Sequence, residues 1–143
     1  MGTIIELWQV AEADKVASRL MIYMQKLLQP EEPKSVSKEL AEAVAACPEN
    51  RRSMKLEQIF NSVLDKYPDG VTIKDIDVMF NPEYKVDVLK ILISARKRKK
   101  YSVIWPGRCE DNKLIYGEEG YADYKTYDVT NYDITCVIGG YDK

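Results

Sequence analysis

The chain is 143 residues long, with 45% hydrophobic and 31% charged residues, which is the size and make-up of one globular domain. Such a domain buries roughly 70% of its unfolded surface, so a core needs neither disulfide nor structural metal. Twenty-one Lys and Arg against 23 Asp and Glu leave a net charge of −2, and there is no histidine; a global basic field for nucleic acid, His-based triads, His-ligated metals and the usual near-neutral general base are thereby excluded.

In chain order, Thr3-Ile-Ile-Glu6 fits a capping box, and apolar residues recur at Ile4, Leu7, Trp8, Ala11 and Val16, which predicts a helix over 3–17. The apolar run from Leu20 to Met24 either forms a strand buried on both faces or extends that helix to Leu28; periodicity alone does not separate the two. Met1 is followed at once by an amphipathic pattern, not by a basic and then an apolar stretch, so no secretory signal is expected. The polar, double-proline segment 29–34 is a break. Ser35, Val36 and Ser37 make a short strand candidate, or Ser37 caps a helix that stops near Pro48. Ser53 is placed to cap a second helix, whose stripe of Met54, Leu56, Ile59, Phe60, Val63 and Leu64 has core spacing. Pro68 to Gly70 is a turn.

Residues 71–78 are a strand by content, and Pro82 permits a helix start before an amphipathic helix over 86–95. A second buried strand is expected over 102–105, ended by Pro106 and Gly107. Asp111 and Asn112 mark a hairpin turn, and the following segment is β-rich, holding with Tyr101 and Tyr141 seven of the ten tyrosines. Helices alternating with single strands predict an α/β fold: one three-layer domain over 1–143 with a mostly parallel sheet, an N-terminal helix and candidate first strand within 1–28, and a β-rich part over 101–138.

Candidate chemistry is sparse. Asp75 and Asp77 alternate within the predicted strand and so share a face; an acidic site at a strand end, such as one holding Mg²⁺, and a plain strand end with a capping carboxylate both fit. No glycine-rich phosphate loop with its Lys and hydroxyl exists, since only Gly2 precedes Gly70. Arg96, Lys97, Arg98, Lys99 and Lys100 form the sharpest charge cluster, either a phosphate-contacting patch or a cationic helix end that complements the dipole. Five consecutive cations fan around a helix, so only weak, sequence-independent nucleic-acid binding is expected. Tyr116, Tyr121, Tyr124, Tyr127 and Tyr132 read as half-buried sheet residues or an aromatic interface. Cys47, Cys109 and Cys136 match no zinc spacing, and without a histidine none is an activated nucleophile. No apolar run approaches the roughly 20 residues of a membrane span.

The segments "VSKELAEAV", "RRSMKLEQIF", "VTIKDIDVMFNPEYKVDVLKIL" and "YSVIWPGRCEDNKLIYGEEGYADYKTY" stand in an order and spacing that resembles the BrxF family, the small P-loop proteins of type III BREX phage-defence systems. The resemblance implies a P-loop-NTPase-like, AAA-like fold and a cytoplasmic role in phage defence, with Asp75 at the Walker B position and Asp77 near the second acidic position. It departs where the Walker A loop belongs: "QKLLQPEEPK" runs from the first strand candidate straight to Ser35. ATP hydrolysis therefore does not carry over. The expectation is a degenerate nucleotide site with no catalytic residue, no cofactor and no metal, in a scaffold or regulatory subunit that binds other defence proteins or its own copies. A nucleic-acid-binding accessory protein using residues 96–100 and an atypical nucleotide-binding protein are the alternatives. For self-association, the acidic Glu118, Glu119, Asp123, Asp128 and Asp133 are expected to meet the basic cluster of another copy.

Overall fold

Leu20–Tyr23 forms a strand, β2, that is buried on both faces, and the main sheet is assembled around it. The computed structural model describes residues 2–6, 19–24 and 32–139. Its six-stranded sheet runs in the order β1 (Thr3–Glu6), β9 (Ile134–Ile138), β2, β5 (Tyr101–Ile104), β4 (Val71–Lys74) and β3 (Lys34–Ser35). Every neighbouring pair is parallel. A three-stranded antiparallel sheet joins β6 (Arg108–Glu110), β7 (Lys113–Tyr116) and β8 (Lys125–Asp128). Three α-helices are described: α1 (Ser37–Ala46), α2 (Arg52–Leu64) and α3 (Val88–Arg96). The fold is thus α/β, with a parallel main sheet, as expected.

The parallel register sets Ile73, Val103, Ile22, Cys136 and Ile4 in one row across five strands. Side chains alternate between faces, so this row and its neighbours Leu20 and Ile134 look to the same side. There they join Leu40 and Val44 of α1, Phe60 and Leu64 of α2, Leu89 and Leu92 of α3, and Leu114 and Tyr127 of the small sheet in one core. Each fully buried Leu, Ile or Phe in it contributes roughly 1.5–3 kcal/mol by leaving water. The opposite face carries a second cluster of Met21, Tyr23, Ile104 and Val137, with Ile5 against it.

Several local expectations are corrected. Thr3–Glu6 is a strand, not the first turn of a helix, so Thr3 and Glu6 form no capping box; β-branched Thr3, Ile4 and Ile5 lie beside Thr135, Cys136 and Val137 of β9. The rest of the predicted helix, over 7–17, and the alternative extension over 25–28 lie outside the described residues. Ser37 is the first residue of α1, not its cap; Val36 holds that position, and the Ser35 hydroxyl accepts from the Ser37 N–H at 3.4 Å. Ser53 lies inside α2, where its hydroxyl donates to the Tyr84 carbonyl. Met54, expected in the core stripe of this helix, is exposed; the buried stripe begins at Leu56.

The strand predicted over 71–78 stops at Lys74, because Asp75 takes a left-handed φ of 65° and Asp77–Phe80 coils into a 3-10 turn. Pro82 opens only a 3-10 turn, Pro82–Tyr84, closed by Lys85 at φ 51°. The helix after it begins at Val88 because the Asp87 carboxylate accepts from the Lys90 N–H at 3.1 Å. The hairpin falls where Asp111 and Asn112 predict it, both with positive φ as a type I′ turn requires.

Candidate functional site at the carboxyl edge of the sheet

All strands of a parallel sheet end on one edge, the usual place for a ligand in an open α/β fold. In this chain that edge presents Glu6, Met24, Lys74 and Trp105, at or just beyond the ends of β1, β2, β4 and β5. Backbone bonds hold it together: the Met24 N–H donates to Val137 O at 3.0 Å, Trp105 N–H to Tyr23 O at 2.8 Å, and Val36 N–H to Lys74 O at 3.1 Å.

Asp75 and Asp77 do not share a strand face. Asp75 is exposed on the left-handed corner that ends β4, and Asp77 opens the 3-10 turn after it. The Asp77 carboxylate accepts the Tyr116 hydroxyl at 3.1 Å. Tyr116 stacks on Phe80, with ring centroids 3.9 Å apart and planes 9° off parallel. From Phe80 the rings continue edge-on through Trp105 at 5.5 Å, Tyr127 at 5.8 Å and Tyr132 at 5.8 Å. The Trp105 indole N–H donates to the Ile115 carbonyl at 2.9 Å, and the Tyr132 hydroxyl to Asp87 at 2.8 Å. Such aromatic pairs each add roughly 0.5–1.5 kcal/mol beyond the area they bury. Gly107 lets the small sheet approach, since a Cβ there would sit 2.0 Å from the Ile115 carbonyl oxygen.

Burial pushes the Tyr116 phenol upward, and the neighbouring Asp77 charge adds to this; burial likewise raises Tyr127. Tyr132 is pushed up to about 12 by burial and by its bond to Asp87. The Cys109 and Cys136 thiols are raised by burial, Cys136 to about 12. These groups are held protonated, the opposite of what a nucleophile or a proton acceptor needs near neutral pH.

The aromatic residues named from sequence thus divide. Tyr116 and Tyr127 are buried and Tyr132 and Tyr124 half-buried, while Tyr121 is 70% exposed. The Asp77–Tyr116 and Asp87–Tyr132 pairs, separated by 39 and 45 residues, carry no signal in sequence spacing.

The basic cluster lies elsewhere, at the end of α3, and is not one surface. Arg96 is buried. Arg98 donates to the Asp65 carboxylate at 2.7 Å and to the Asn61 carbonyl at 3.1 Å, and Lys99 pairs with Asp69 at 3.3 Å. Lys97 and Lys100 are exposed with no ion pair among the described residues. The acidic set divides as well: Asp133 pairs with Arg19 at 2.9 Å, and Asp128 accepts from the Thr130 N–H at 3.0 Å.

Among the described residues no three Cys, Asp or Glu side chains come together as a metal site, and no helix is long and apolar enough to cross a membrane. None of the family models, curated proteins and solved structures compared with this chain matches it.

Proposed function

We propose that this chain is a non-catalytic scaffold or regulatory subunit of a bacterial or archaeal phage-defence assembly, built on a degenerate P-loop-like domain. The observation that carries the non-catalytic reading is the bond from the Tyr116 hydroxyl to Asp77. It ties the acidic turn into the aromatic layer, with Phe80 stacked beneath Tyr116, so the turn serves to dock the small sheet. Asp75 is left as a solvated carboxylate on a corner.

The strand order supports the P-loop-like part, and the sequence supports its being degenerate. β2 lies inside the sheet, and the acidic turn after β4 stands on the same edge two strands away, about 10 Å at the usual strand spacing. Across the connection that follows β2, residues 25–34 include no glycine, so the sequence has no backbone nest for phosphates. The assignment to phage defence rests on the ordered sequence segments that resemble the BrxF family.

Calorimetry with ATP and Mg²⁺ tests the reading. No binding heat is expected, and a micromolar dissociation constant overturns it. Affinity capture with mass spectrometry from a host carrying the neighbouring genes is expected to return defence proteins.

A further inference from the structure

The two large apolar side chains most open to water among the described residues are Met54, 74% exposed, and Tyr121, 70% exposed. They belong to two differently charged surfaces. Tyr121 stands on the loop between β7 and β8, beside Glu118 and Glu119, both exposed with no ion pair among the described residues. Two consecutive turns shape that loop, with the Tyr121 N–H donating to Glu118 O and the Tyr124 N–H to Tyr121 O, each at 3.1 Å. The Arg108 guanidinium holds the Gly117 carbonyl at 3.2 Å, and Gly120 takes a φ of 97° that few other residues tolerate. The result is a preorganised acidic knob tipped by an aromatic ring.

Met54 flanks a groove between α1 and α2. Ala43, Cys47 and Ile59 line its apolar part, and Arg51 and Lys55 its basic part. Met54 lies three residues from Arg51 and four from Gln58, so it belongs to the same side of α2. The groove is open to solvent and measures about 360 Å³. Arg52 fixes its end by donating to the Cys47 carbonyl at 3.0 Å. Neither Arg51 nor Lys55 has an ion pair among the described residues.

We infer that the groove between α1 and α2 receives the Tyr121 knob of a second copy of this chain, with Glu118 and Glu119 facing Arg51 and Lys55. One surface is acidic with an exposed aromatic ring, the other basic with an apolar hollow, and a single chain carries both, so one copy supplies what another receives. The contact is head-to-tail, so it builds a ring or an open chain rather than a two-fold dimer. It deepens the scaffold reading and rests on it, while replacing residues 96–100 as the basic partner because Arg98 and Lys99 are already paired.

Charge reversal tests it. In low salt the average mass of the wild-type protein by light scattering is expected to rise with concentration and to fall towards the monomer in high salt. The variants Arg51→Glu/Lys55→Glu and Glu118→Lys/Glu119→Lys should each stay monomeric, whereas an equimolar mixture should associate, because each then meets a complementary surface. Tyr121→Ala should weaken association about tenfold or more. A wild-type protein that remains monomeric, or a mixture that stays apart while wild type assembles, overturns the inference. Recovery in the mixture also shows that both variants are folded. ATP binding would instead remove the scaffold reading and leave these mass measurements standing.

Discussion

Tyr116 is held at both ends, its ring flat on Phe80 and its hydroxyl on Asp77. The two contacts separate experimentally. Tyr116→Phe keeps the stack and loses the hydrogen bond; because Asp77 is exposed and returns to water, the cost is about 0.5–1.5 kcal/mol. Asp77→Ala removes the acceptor and should cost about as much, and the double variant no more than the larger single effect, since both remove the same bond. Urea unfolding measures all three. Additive losses would show that Asp77 and Tyr116 act separately, against the docking role assigned to them.

At the scale of elements, helix packing depends on a few large side chains, Phe60 foremost. It is 1% exposed, and its ring lies 6.0 Å from that of Tyr101, so it joins α2 to β5. Phe60→Ala should destabilise by about 3–5 kcal/mol, read as a lowered urea midpoint with little change in slope. That Phe60 faces the core was legible in sequence, as was the hairpin at Asp111 and Asn112, because apolar stripes and turn residues are local signals; β2 showed only as an apolar run that fits strand or helix alike. β1 was not legible. Ile4 reads as the start of a helical spacing with Leu7, Trp8 and Ala11, while what holds Thr3–Glu6 is pairing with residues more than 130 positions away. The acidic pair was misplaced for a related reason: β-rich composition runs on through Val78, but the backbone turns at Asp75. The end of α3 was legible as a cationic helix end; Asp65 and Asp69, which engage it, come from the segment after α2 and leave no mark in local spacing.

Across the whole molecule, the phenols couple stability to alkaline pH. Tyr67, bound to Glu39, is pushed up to about 12, as is Tyr132, and burial raises Tyr101, Tyr116 and Tyr127 as well. Their folded values lie above the ordinary value near 10. The stability this reflects is therefore fully present below about pH 10 and is lost as the pH rises through about 12. Phenolate absorbance and far-ultraviolet circular dichroism followed together should show late ionisation coinciding with loss of structure. Ionisation of nearly all tyrosines near pH 10 with the sheet intact would contradict this account.

β9 lies between β1 and β2, which are not bonded to each other. On a ribosome, β2 is complete at Tyr23, but β9 does not begin until Ile134. At ~5–20 residues per second the intervening 110 or so residues take roughly 5–20 s to synthesise. Throughout that interval Met21, Tyr23 and Ile5 have no Val137 to pack against, and the two N-terminal strands expose unpaired backbone. The nascent chain is thus a ready client for chaperones that shield apolar strands, and the sheet closes only when its last strand slides between its first two.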